Sequence, residues 1–243
     1  MTLKVNIDNL TLSKNGTTKK ILRNIDFELC PGNIYSIFGL NGSGKTTLLK
    51  SIIGSLDKRF YSLNGNIYLG GTDVSELNAA ELRKFRKYNI RFVFQDAITS
   101  FDPLKKVDYY FNEIRKDDTE INKLLEYFKM PDYAKIRTLF PYELSGGMAQ
   151  RLSIILALLS GVKLILFDEP TSALDVSISN LLKLKLKELS QYKKTIFLIV
   201  TQDLKFGLRT ADYAATLKNG VLTDFEPVEN YSSDNNLLIK LRY

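Results

Sequence analysis

The segment Gly39-Leu40-Asn41-Gly42-Ser43-Gly44-Lys45-Thr46 constrains this chain more than any other. It matches the pattern G-x-x-x-x-G-K-[ST] at every position, between a short β-rich run, residues 34–38, and a helical pattern, residues 46–53. Strand, glycine loop and helix in that order make a cradle for an anion. Glycines let backbone N–H groups close around a phosphate without Cβ clashes, and the helix turns its positive dipole end toward the charge. Gly39, Asn41, Gly42, Ser43 and Gly44 are therefore candidates for phosphate contacts. Lys45 supplies a point charge for the β- and γ-phosphates, the Thr46 hydroxyl a ligand for Mg2+, and Thr47 stands beside it to help.

The remainder reads as alternating strands and helices. Residues 3–12 and 25–29 are strand-like around a polar turn, and 65–69 and 90–94 are further strands. From 103 to 141 the chain is polar, aromatic and helical, as over 119–128. Ser145 then opens a long apolar-periodic helix to about residue 159. Residues 162–167 are a continuous apolar run of strand length, 175–189 another helix and 195–200 another buried strand. This alternation predicts an α/β domain. It reads as one domain over 1–243, with a helical subdomain at approximately 98–160 inserted between core segments 1–97 and 161–243. The run Leu164-Ile165-Leu166-Phe167-Asp168-Glu169 ends a strand in two acids. A carboxylate at the carboxyl end of a parallel strand faces the phosphate crevice. Asp168 can then hold Mg2+ through water, and Glu169 can orient or deprotonate an attacking water.

Composition narrows the chemistry. The 243 residues contain no histidine, which removes Ser-His-Asp triads, histidine metal sites and imidazole bases. Cys30 is the one cysteine, so a disulfide scaffold, an iron–sulfur cluster and a cysteine zinc site within the chain are excluded. The net charge of +7 suits an anionic ligand, nucleic acid or a membrane surface, and equally a solvated lysine-rich face. No recognition helix or aromatic–basic platform stands out, so no nucleic-acid partner is expected. The longest apolar stretches, such as 154–159 and 162–167, fall far short of the roughly 20 residues that span a bilayer. The first residues lack a signal-peptide apolar block. The chain is expected in the cytoplasm, with any membrane association made through a partner.

Two further motifs carry a resemblance. Leu144-Ser145-Gly146-Gly147-Met148-Ala149-Gln150-Arg151 resembles the signature motif of ATP-binding-cassette (ABC) ATPases, and Asp168-Glu169-Pro170-Thr171-Ser172-Ala173-Leu174-Asp175 resembles that family's Walker B segment and D-loop. The family's motif order is followed over about residues 3–226. The resemblance implies a P-loop ABC ATPase core, with helices on a parallel sheet and an N-terminal antiparallel β-subdomain, carrying an inserted α-helical subdomain. It implies ATP and Mg2+ as cofactors and ATP hydrolysis as the activity. Ser145 reads as a helix N-cap, with Gly146 and Gly147 leaving N–H groups accessible. In this family that second anion site contacts the γ-phosphate held by a partner subunit.

Val93-Phe94-Gln95-Asp96-Ala97-Ile98-Thr99-Ser100-Phe101-Asp102-Pro103 is similar to a stretch of peptide and nickel importers, and Phe140-Pro141-Tyr142-Glu143-Leu144 to the segment before their signature. Ala97 and Tyr142 replace that subfamily's proline and histidine. The resemblance implies that Gln95 touches Mg2+ or water and links the core to the helical subdomain. It further implies an energising subunit of a membrane importer for peptides, nickel or metal–metallophore complexes. The implied partners are a second ABC ATPase, two integral membrane permease subunits and an extracytoplasmic substrate-binding protein, with the chain peripheral at the cytoplasmic face. The alternative is a soluble ABC ATPase of iron–sulfur assembly or the ribosome. A single cassette without extended heptads, and the 99–103 pattern, argue against it.

The chain departs from the family at two places. Gln202 stands where a switch histidine is usual; it can donate a hydrogen bond to a phosphate oxygen but cannot carry charge or shuttle a proton. Either the change is without consequence or the chain's own ATP site is slow. The second account, with Ser145-Gly146-Gly147 intact, makes a heterodimer with a related ATPase the expected assembly. The position for an adenine-stacking aromatic falls near Ser13-Lys14, where there is none.

Overall fold

The computed structural model describes residues 1–114, 116–192 and 195–232. β1 (Leu3–Lys14) turns back through Asn15 and Gly16, at φ 51° and 76°, into β2 (Thr17–Leu29), with Lys14 paired to Thr17. Two left-handed residues match the twist of a tight hairpin. The ladder to β1 extends β2 eight residues before the expected start at residue 25, across the charged Lys19-Lys20 pair. β3 (Ile34–Phe38) leads through the glycine loop into α1 (Lys45–Ile52). β4 (Tyr61–Leu69) and β5 (Thr72–Asp73) follow, then α2 (Ala79–Asn89) and β6 (Ile90–Val93). Sequence periodicity did not suggest α2. Its signal is a capping box: Asn78 accepts from the amides of Ala80 and Glu81, and the Glu81 carboxylate accepts from the Asn78 amide.

Among the described residues, the elements between β6 and the next strand are all helical: α3 (Val107–Ile114), α4 (Asp118–Tyr127), α5 (Tyr133–Ile136) and α6 (Gly146–Leu159), with short 3-10 turns at Ile98–Ser100 and Pro141–Glu143. β7 (Leu164–Asp168), α7 (Val176–Tyr192), β8 (Ile196–Thr201), α8 (Leu204–Thr210) and β9 (Tyr213–Lys218) restore the strand–helix alternation. β10 (Val221–Leu222), β11 (Glu226–Pro227) and α9 (Val228–Ser232) complete the described chain.

The strands form two sheets. An antiparallel sheet has the order β2-β1-β4-β5; the central sheet has the order β10-β9-β3-β8-β7-β6, with β11 also on β9. Within it β9, β3, β8, β7 and β6 run parallel. Alternate side chains of the continuous apolar strands feed two cores. Leu164, Leu166, Ile196, Leu198 and Val200 pack with the antiparallel sheet and α1. Ile165, Phe167, Phe197 and Ile199 pack with the helices, including Phe111, Phe128 and Leu152. Burial on both faces is why these strands read as unbroken hydrophobic runs. The parallel arrangement puts the carboxyl ends of β3, β7 and β8 side by side, and every residue of the site below that follows a strand lies there.

Candidate active site

The loop after β3 needs its glycines. A Cβ on Gly39 would stand 2.6 Å from the Leu217 carbonyl of β9 and 2.6 Å from Ser43 Oγ. Gly44, at φ 108°, is the residue before α1, which has no side-chain N-cap. The first amides of that helix are thus left for an external acceptor.

Lys45 is buried, and its ammonium donates to the carbonyls of Gly39, at 2.7 Å, and Leu40, at 3.2 Å. It lies 3.4 Å from Glu169 Oε1, an ion pair that bridges the glycine loop and the end of β7. The other oxygen, Oε2, accepts from the Thr201 hydroxyl at 2.9 Å and from the Gln202 amide at 3.0 Å. Glu169 itself stands at φ 46°, a backbone conformation disfavoured for a residue with a Cβ, and its N–H donates to the Val200 carbonyl at 2.9 Å. The Gln202 side chain donates to Asn41 Oδ1, so the residue after β8 reaches the glycine loop directly.

Asp168 ends β7 and is 2% exposed. Burial raises its pKa, and a hydrogen bond with the Thr46 hydroxyl and the charge of Lys45 offset that only in part. Its Oδ1, like Ser43 Oγ, is buried without a hydrogen-bond partner. A carboxylate and a hydroxyl, one acceptor unpaired and the carboxylate disfavoured as a bare charge, are the donor set of a hard divalent cation, and these residues fit Mg2+.

The structure thus brings Gly39, Asn41, Gly42, Ser43, Gly44, Lys45, Thr46 and Thr47 into one loop and helix start, against Asp168, Glu169 and Gln202. The signature residues lie at the start of α6. Ser145 caps α6, its hydroxyl accepting from the Met148 amide at 3.2 Å, and Gly147 packs close to the Ala173 carbonyl. Gln95 is exposed and lines, with Gly146, Gln150, Ser172 and Ala173, a cavity of about 290 Å3. Sequence reasoning missed Thr201, whose hydroxyl orients Glu169; its signal was its place at the end of a buried strand, directly before Gln202. Phe60, an exposed aromatic whose carbonyl accepts from the Ser13 amide, stands beside the place expected for an adenine platform.

The family model described as ABC transporter matches residues 22–172. The metal-staphylopine import system ATP-binding protein CntD of Staphylococcus aureus (strain NCTC 8325 / PS 47) is 33% identical over 92% of this chain and 85% of its own length. The oligopeptide transport ATP-binding protein OppD of Escherichia coli (strain K12) is 32% identical over 87% of this chain and 67% of its own length. Among solved structures, a dimeric post-hydrolysis state of the ATP-binding cassette MJ0796 bound to ADP and Pi superposes with a TM-score of 0.79, at 27% identity over 93% of this chain and 98% of that one. Fold, phosphate loop, paired acids and these relatives agree, and the chain belongs to the ABC transporter family as one of its ATP-binding-cassette ATPases.

Proposed function

We propose that this chain hydrolyses ATP to drive a membrane importer of the class that carries peptides, nickel or metal–metallophore complexes. The observation that carries the reading is the convergence of Lys45, Asp168, Glu169 and Gln202 on the glycine loop from the ends of three neighbouring strands. The CntD and OppD relatives support the importer class. We assign 1–97 and 161–243 to the nucleotide-binding core and 98–160 to a helical subdomain, as the all-helical course of α3 to α6 supports.

The chemistry follows from the residues. The amides of residues 39–47 and the α1 terminus bind the triphosphate, and Lys45 exchanges the loop carbonyls for β- and γ-phosphate oxygens. Thr46 and Asp168 would hold Mg2+, and Gln95 is assigned as a further contact to the ion or its water. When bound, that ion neutralises charge on the phosphates. Once Lys45 turns to phosphate, Glu169 Oε1 is released to take a proton from an attacking water, while Thr201 and the Gln202 amide hold Oε2 in place. Gln202 spans to Asn41 and donates toward the γ-phosphate, without a charge to add.

Ser145, Gly146 and Gly147 complete the site of a partner ATPase, as the resemblance of residues 144–151 to the ABC signature motif supports. Two such subunits sandwich ATP, and their closure moves two permease subunits supplied by an extracytoplasmic binding protein. The chain is peripheral at the cytoplasmic face; no helix among the described residues is long and apolar enough to cross a membrane. With Gln202 at the switch, the chain's own site is the slower of the pair, and the partner is a different ATPase. The test is affinity purification of the full complex, then turnover of two variants. Integral membrane proteins should co-purify, and Ser145→Arg should remove more ATPase activity than Gln202→Ala. Recovery without membrane subunits, or full turnover by the chain alone as a homodimer, would overturn the reading.

A further inference from the structure

Gln150 lies on α6 among Ala149, Leu152, Ile154 and Ile155, all fully buried, and is itself fully buried. A carboxamide in such a place destabilises the fold unless its polar atoms are paired, and an apolar side chain of the same length would pack there without that penalty. Gln150 meets only part of the requirement. Its Nε2 donates to the Phe94 carbonyl, at 3.3 Å, and to the Pro170 carbonyl, at 3.5 Å, while Oε1 has no partner. Those two carbonyls belong to separate segments. Phe94 immediately precedes Gln95, and Pro170 immediately follows Glu169. Ser145, the cap of the same helix, lies five residues before Gln150.

We infer that Gln150 is a positioning residue that joins the Gln95 segment, the Glu169 segment and the signature end of α6 into one unit, so that nucleotide at the phosphate loop and closure onto the partner's nucleotide are coupled. The inference rests on the ATPase reading above. Both donor bonds are at the long end of hydrogen-bond range. On this inference, an approach of α6 to the Phe94 and Pro170 carbonyls shortens both bonds. The bridge therefore favours the closed arrangement, which a core packing role alone would not require. The cavity lined by Gln95, Gly146, Gln150, Ser172 and Ala173 gives that approach room.

Gln150→Met tests this in the intact transporter complex, because methionine keeps length and apolar volume and removes both donors. The expected result is a fall in kcat of at least tenfold, with KM for ATP and the affinity of the full chain for Mg-ATP within twofold of wild type and the melting temperature unchanged or higher. Hydrogen exchange gives a second reading: Mg-ATP should protect residues 94–98 and 170–174 together in the wild type, and no longer together in the variant. Wild-type kcat in Gln150→Met overturns the inference. So does a loss of kcat matched by losses of melting temperature and ATP affinity, which is the pattern of a structural residue. A wild-type complex that binds ATP but does not hydrolyse it overturns the ATPase reading itself, and the positioning role with it.

Discussion

Glu169→Gln separates the electrostatic role of that carboxylate from the chemical role proposed for it. Oε1 stands 3.4 Å from Lys45 Nζ, with the two side chains 12% and 6% exposed. A unit-charge pair at that distance attracts by about 5 kcal/mol at an effective dielectric of about 20, and most of this offsets the desolvation of both groups. The net contribution of a charge-assisted contact is about 1.5–3 kcal/mol. Glutamine keeps the shape and still accepts through its carbonyl from Thr201 and the Gln202 amide, but it turns an NH2 toward Lys45. The nucleotide-free variant should lose about 2 kcal/mol, or about 4–8 °C in melting temperature for a chain of this size. ATP binding should move the opposite way. Wild-type protein must give up the Lys45–Glu169 pair to bind phosphate, and the variant has no pair to give up and one less negative charge beside the phosphates. Its affinity should rise about tenfold, at 1.4 kcal/mol per decade. Hydrolysis at this site should fall by about 10²–10⁴ with the loss of the base. Thermal melts with and without Mg-ATP, ATP titration calorimetry and single-turnover hydrolysis read the three effects separately. A variant that melts with the wild type in the absence of nucleotide, or that binds ATP more weakly, refutes the reasoning.

Lys45→Ala should lower ATP affinity by about 10²-fold, the loss of one charge-assisted phosphate contact, and unchanged affinity by titration would remove Lys45 from the site. Gly39→Ala should destabilise the fold by about 1–3 kcal/mol in urea denaturation, since the new methyl meets the β9 backbone at 2.6 Å and that carbonyl cannot swing aside. Tyr133 donates to Asp108 at 2.6 Å, and burial together with that carboxylate pushes its pKa from 10.0 up to about 12. The folded-state value is raised, so the protonated hydroxyl contributes stability that is complete below pH 10 and is lost as pH climbs toward 12. Tyr133→Phe should flatten the fall of stability across that window, and an unchanged alkaline profile counts against the assignment.

The nucleotide half of the candidate site was legible in the sequence because its parts are local. The glycine loop, Lys45 and Thr46 are contiguous, and Asp168 and Glu169 mark the end of a strand whose burial on both faces writes itself as an unbroken apolar run. The N-cap at Ser145 and the helix it opens were local in the same sense. Residues 17–24 of β2 were not, because a ladder to β1 supplies what charged Lys19 and Lys20 lack in strand propensity. Nor was α2, whose apolar face is only Leu82 and Phe85, half-buried against the core, so that the Asn78–Glu81 box is its clearest signal. What the tertiary structure alone decided is which of these local pieces meet. Sheet order sets β7 beside β8 and β8 beside β3. That adjacency brings Thr201 and Gln202 onto Glu169, and Glu169 onto Lys45, across separations of 32, 33 and 124 residues. The same packing carries the Gln150 amide between Phe94 and Pro170, where a residue that reads in sequence as part of one helix touches two loops. Spacing along a chain records the period of a helix or strand; it carries no record of distance between elements, which only the packed sheet determines.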